Sequence, residues 1–154
     1  MQFSGTVSIH APRERVWAFI IDPRQVGHCG PGVEQVEQVD ETHYKATAKV
    51  GIGMISARFH GHLEIVDEEE PNRAVLKARG QAPGSAADAL ATMILHEGGD
   101  GETIMEWVAE VSISGRLASV GARLIEGTAN KLIGQTFECI RTRLEAPEGA
   151  TAPS

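Results

Sequence analysis

The chain has 154 residues, 42% apolar and 23% charged, the size and make-up of one globular domain. A net charge of −7 disfavours non-specific contact with nucleic acid phosphates and docking on anionic lipid. The longest apolar run, Val16 to Ile21, is far too short to span a membrane, and Met1-Gln2-Phe3-Ser4 leads straight into a strand pattern, so no signal peptide is expected.

Phe3, Gly5, Val7 and Ile9 alternate with polar residues and predict a first strand. Ala11-Pro12 opens a helix in which Val16, Phe19 and Ile20 share a face, and Pro23 ends it. Asp22-Pro23 reads as the capped start of a second short helix, Asp22 to His28, and Gly30-Pro31-Gly32 as a loop. From about Val33 to Ile113 the pattern is that of strands. Tyr44, Ala46, Ala48 and Val50 oppose Lys45, Thr47 and Lys49, and Ile55, Ala57, Phe59, Gly61, Leu63 and Ile65 oppose Ser56, Arg58, His60, His62 and Glu64. Ala74, Leu76, Ala78 and Gly80, then Ala87, Ala89, Ala91, Met93 and Leu95, then Met105, Trp107, Ala109, Val111 and Ile113 continue the alternation. Clean alternation over such lengths marks an antiparallel sheet with one buried face and one wet face. The chain then predicts one long helix from about Leu117 to Leu144. Its apolar face holds Ala122, Ile125, Ala129, Leu132, Ile133, Thr136, Cys139 and Ile140, with Gly127 and Gly134 on the polar side. The expected domain is 2–145, followed by a disordered Ala-, Pro- and Gly-rich tail over 146–154.

These elements describe an α+β fold: a curved antiparallel sheet of about seven strands wrapped around a long C-terminal helix. Its inward strand face is unusually small in volume. Ala46, Ala48, Ala57, Gly61, Ala78, Gly80, Ala87, Ala89, Ala91 and Ala109 dominate it. Helix-on-sheet cores ordinarily need Val, Ile and Leu to reach native density. Small residues let the helix approach closely or leave a space, and we read a space, because ligand pockets are apolar with few polar groups. The ligand-binding candidates are Phe19, Tyr44, Ala48, Phe59, Met93, Met105 and Trp107 on the walls, with Ile125, Leu132 and Thr136 from the helix. Tyr44 offers a hydroxyl to a ligand oxygen, although a buried tyrosine more often bonds a backbone carbonyl.

Catalytic and metal chemistry find little support. The inward faces carry no Asp, Glu, Lys or His, which acid–base catalysis would need. His60 and His62 share a strand face that also carries Arg58 and Glu64, and we read them as solvated histidines, not metal ligands. His28-Cys29 is better read as a helix end than as a nucleophilic pair, since adjacent side chains rarely point the same way. The glycine clusters at Gly51-Ile52-Gly53 and Gly98-Gly99-Asp100-Gly101 lie between strands, not before a helix, so neither is a phosphate loop. Cys29 and Cys139 are distant and unpatterned, which suggests a reducing cytoplasm more than a disulfide framework.

Four places carry a family resemblance: Ala11-Pro12 through Val16-Trp17 to Asp22-Pro23; Pro31-Gly32; Phe59-x-Gly61; and Gly115-Arg116-Leu117-Ala118-x-x-Gly121-x-Arg123-Leu124. In that order, over about residues 2 to 145, the chain resembles the G-subunit family of carbon monoxide dehydrogenase, within the START-like, helix-grip superfamily that also holds the birch-pollen-allergen-like proteins. The resemblance implies a non-catalytic accessory or carrier protein for an aerobic molybdenum hydroxylase. It further implies a lipophilic ligand such as a quinone or lipid and no covalent cofactor. The expected setting is the cytoplasm, with at most peripheral contact at the inner membrane surface. Many members of the family have a longer apolar C-terminal extension, whereas this sequence ends at Ala152-Pro153-Ser154, which puts direct anchoring in doubt. Two alternatives stand beside this reading: a START-like cyclase or hydrolase acting on an apolar substrate, and an interaction module whose groove is filled by its own side chains.

Overall fold

The structure is a computed structural model that describes residues 1–146. The tail expected over 146–154 lies outside the described residues from position 147 onward. β1 (Gln2–Ile9) leads into α1 (Arg13–Ile20), α2 (Pro23–Val26) and a 3-10 turn (Gly27–Cys29). Six strands follow: β2 (Val33–Gln38), β3 (His43–Ile52), β4 (Ile55–Glu69), β5 (Arg73–Ala82), β6 (Ser85–Gly99) and β7 (Glu102–Gly115). A second 3-10 turn (Arg116–Val120) precedes α3 (Ala122–Glu145).

All seven strands join one sheet in the order β1-β7-β6-β5-β4-β3-β2, every pair antiparallel. β1 and β2 are therefore opposite edges, and α1 and α2 carry the chain between them. β4 and β6 are 15 residues each, long enough to need curvature. Register shifts at Ile65/Asp67 and Glu97/Gly99 supply it, because an extra residue on one strand bends and twists the ladder. The sheet curls round α3, the helix-grip arrangement expected from the sequence.

The expected single helix from Leu117 is divided. Gly121 has φ of 100°, a conformation that an α-helix cannot contain, so Leu117 lies in the 3-10 turn and α3 starts at Ala122. The second short helix likewise tightens at Gly27 into a 3-10 turn, with Asp22 capping α2 by accepting from the Arg24 amide at 3.0 Å.

Two apolar clusters form the core. One gathers Ile9, Val16, Trp17, Phe19, Ile20, Leu95 and Met105 under Ile140 and Leu144 of α3. The other joins Ile52, Phe59 and Leu117 to Ile125. α3 is thus secured near both ends, each buried Ile or Leu contributing about 1.5–3 kcal/mol. Between Ile125 and Ile140 it has no fully buried residue, so the middle of the helix bridges a space. The fully buried Thr103 donates to the Ala11 carbonyl at 2.7 Å and fixes the entry to α1.

The cysteines correct an expectation. Cys29 and Cys139 form a disulfide, with Cα atoms 5.4 Å apart, inside the normal range for such a bridge. Their separation of 110 residues concealed the pairing in the sequence, and it arises because the turn after α2 folds back onto the last turns of α3.

Candidate functional site

Small side chains on the inner sheet leave a cavity of about 350 Å³ between the sheet and the second half of α3. Its floor is Ala46, Leu63, Leu76, Ala78, Ala89, Ala91, Met93 and Met105. Thr136, Phe137 and Ile140 of α3 roof it, and Pro23, Val26, Gly27 and Gly30, with Val33 and Val36 of β2, form the side wall. A second cavity of about 250 Å³ lies under the first half of α3, among Ile52, Phe59, Ile113, Leu117, Ile125, Ala129 and Leu132. Both touch Ala78 and Ala89, which face one another across β5 and β6. The two spaces, lobes of a groove beneath α3, adjoin at Ala78 and Ala89, and neither is filled by the protein's own side chains.

The lining is almost wholly apolar. The Thr136 hydroxyl, the one side-chain hydroxyl in the larger lobe, donates to the Leu132 carbonyl one turn back at 2.8 Å. Asp88 borders the smaller lobe, but its carboxylate accepts from Arg79 at 2.8 and 2.9 Å on the outer face. Other ion pairs also lie outside: Arg58 with Glu34 at 2.8 Å and His96 with Glu106 at 3.0 Å. The Arg58 guanidinium, by hydrogen bonding, holds Glu34 below the usual carboxylate range. Charge is therefore paired on the wet face, and the groove offers shape and apolar contact.

The ten candidates from the sequence divide into three groups. Met93, Met105 and Thr136 line the larger lobe. Phe59, Ile125 and Leu132 line the smaller one. Phe19, Tyr44, Ala48 and Trp107 stand outside both linings. Phe19 belongs to the packed cluster beneath α1. Tyr44 is buried, its hydroxyl accepts from Gln38 Nε2 at 3.4 Å, and burial pushes its pKa up. Trp107 lies over Gly5 and against Phe137, ring centres 5.1 Å apart, so it touches the cavity wall from behind.

The sequence reading missed the side wall and Phe137. Phe137 stands four residues after Ile133 and three before Ile140, so the helical spacing itself pointed to it. Ala122, expected on the inner face, is exposed at the helix start. His60 and His62 are exposed on the outer sheet, as expected, with the His60 ring nitrogen 3.4 Å from Thr47 Oγ1. Among the described residues no group of three or more His, Cys, Asp or Glu is placed to hold a metal ion. Cys29 is bonded to Cys139, so a His28-Cys29 nucleophile is not present in this state. No helix among the described residues is long and apolar enough to cross a membrane.

A family model for the G subunit of carbon monoxide dehydrogenase (CoxG) matches residues 5–145, nearly the whole described chain. The chain belongs to the CoxG family. A search of curated proteins returns no match. Among solved structures, a conserved protein from Geobacillus kaustophilus is similar, with a TM-score of 0.86 at 24% identity over 94% of this chain and 95% of that one. An aromatase/cyclase from a Streptomyces species has a TM-score of 0.73 at 11% identity, over 99% of both chains. A START superfamily protein from Mycobacterium smegmatis has a TM-score of 0.73 at 13% identity, over 94% and 97%. At these identities the structural likenesses establish the START-like fold, and CoxG membership rests on the family match.

Proposed function

We propose that the chain is a carrier that holds a quinone-like or other lipid-like molecule in the two-lobed groove, without covalent attachment and without reacting with it. The observation that carries this reading is the groove itself: two adjoining apolar lobes, with the one side-chain hydroxyl of the larger lobe bonded to its own helix. Met93, Met105 and Thr136 would touch one part of the ligand, and Phe59, Ile125 and Leu132 the other. Apolar burial supplies affinity at about 25 cal/mol per Å² removed from water, so an elongated ligand gains from filling both lobes. Family membership supports service to a molybdenum hydroxylase of the carbon monoxide dehydrogenase type, and the carrier reading puts exchange of the ligand at the inner membrane surface. The test is native mass spectrometry of protein purified without detergent, followed by titration with a short-chain quinone. A retained apolar adduct that the quinone displaces supports the reading. Turnover of a supplied apolar substrate would replace it with an enzyme of the aromatase/cyclase kind.

A further inference from the structure

The Cys29–Cys139 bridge lies where it can control the groove. Cys29 adjoins Gly30 and lies two residues after Gly27, both in the side wall of the larger lobe. Cys139 adjoins Ile140 and follows Phe137 by two residues, both in the roof. The bond therefore ties wall to roof beside the larger lobe. Apart from the bond, the wall is held by the Asp22 cap on α2, by Val26 packed on the core cluster and by the Lys49 amide donating to the Gly32 carbonyl. It is a four-residue helix and a three-residue 3-10 turn, and the glycine-rich loop after them leads directly into β2. Its non-covalent contacts include the close approach of Gly27 to Val36 and of Gly30 to Val33, side chains that themselves line the lobe.

We infer that the Cys29–Cys139 disulfide is a redox latch on the groove: oxidised, it holds the side wall against α3 and retains the ligand; reduced, it lets the wall move and the ligand leave. The inference rests on the carrier reading above. The chemistry requires a dithiol reductant. A thiolate of the reductant attacks Cys139 Sγ, which is half-buried where Cys29 is buried. The Cys29–Cys139 bond breaks, and its electron pair leaves on Cys29 Sγ, which takes up a proton. The second thiol of the reductant then attacks the mixed disulfide, releasing Cys139 as a thiol and the reductant as its own disulfide. Exchange with an oxidised dithiol reverses both steps.

The experiment uses the full chain and the uncharged dye N-phenyl-1-naphthylamine. Dye release is followed by stopped flow before and after treatment with dithiothreitol, with alkylation and mass spectrometry to count free thiols and circular dichroism to confirm the fold. Reduction should speed release by about tenfold, since affinity differences of this kind reside mainly in dissociation. Cys29→Ser and Cys139→Ser should release at the fast rate with or without dithiothreitol. Hydrogen exchange, which needs no ligand, should show on reduction a rise at residues 24–33 and the facing turns of α3 well beyond the uniform rise that lower global stability gives the rest of the core. Equal release rates in the two redox states, with no exchange rise at this wall beyond the uniform one, would overturn the latch while leaving the carrier reading intact. Global unfolding on reduction would also overturn it, making the bond a structural staple. If the dye binds neither form, the carrier reading fails, and the exchange result alone decides whether the bond restrains this wall.

Discussion

Ala91→Leu separates a ligand groove from a merely tight interface by the sign of its effect. Ala91 sits in the floor of the larger lobe, between Leu76 and Ala109 on neighbouring strands. Leucine adds three carbons, each contributing about 0.8 kcal/mol when removed from water, so filling an empty space stabilises by at most about 2.4 kcal/mol. Position 91 is only half-buried, so part of that surface stays wet and the expected gain is roughly 1 kcal/mol. In a packed interface the same carbons would cost about 1–3 kcal/mol through displaced neighbours. Urea denaturation of the wild type and the variant reads the sign, and titration with N-phenyl-1-naphthylamine reads the room left for a ligand. The expected result is equal or raised stability with dye affinity lowered tenfold or more, about 1.4 kcal/mol. Ala48→Leu, outside both lobes, should leave dye affinity unchanged. A destabilised Ala91→Leu protein with unaltered dye binding would refute the reasoning.

Other consequences follow from single contacts. A quinone in the larger lobe should quench Trp107 across Phe137, and Trp107→Phe should remove that part of the signal while binding persists, with Trp17, clustered with Met105 and Ile140, supplying the remainder. Thr103→Val leaves the buried Ala11 carbonyl without its donor and should cost about 1–3 kcal/mol in denaturation experiments. Asp22→Ala removes the cap of α2 and should cost about 1 kcal/mol. Burial pulls the Asp22 pKa up, but hydrogen bonds from Arg24 and Gln25 outweigh it, so the net shift is downward. Its contribution is therefore complete above the ordinary carboxylate pKa and disappears as pH falls through the lower folded value. The wild type and Asp22→Ala should converge in stability at acid pH. Reduction of Cys29–Cys139 should lower global stability by about 2–4 kcal/mol, read from urea midpoints with and without a phosphine reductant.

The sheet was legible because its inner and outer faces alternate without interruption. The residues Tyr44 to Val50, Ile55 to Ile65 and Met105 to Ile113 all point as period-two reading requires. The smallness of the inner face likewise announced a space, since alanine and glycine cannot fill the distance from sheet to helix. Three features were not legible. Gly121 divides the last helix through its backbone conformation, and glycine inside a helical pattern does not disclose a φ of 100°. The side wall comes from the α2 turn and β2, which meet the sheet floor only after the chain has crossed from one edge to the other. The disulfide depends on the same return of the turn onto α3. Large aromatic residues also misled. Phe19 and Tyr44 are buried but line neither lobe, whereas Phe59, equally buried, does, so size and burial alone do not place a side chain at the cavity.

The four methionines provide the most direct test of the central claim. Met93 and Met105 line the larger lobe, whereas Met1 and Met54 are exposed outside it. With carbon-13 in the methionine methyl groups, a nuclear magnetic resonance titration with a short-chain quinone gives two reporters inside the groove and two outside it. The carrier account predicts that the Met93 and Met105 signals shift and saturate while Met1 and Met54 stay fixed. Binding that moves only Met54 or Met1, or a saturating quinone that leaves Met93 and Met105 unmoved, would contradict it.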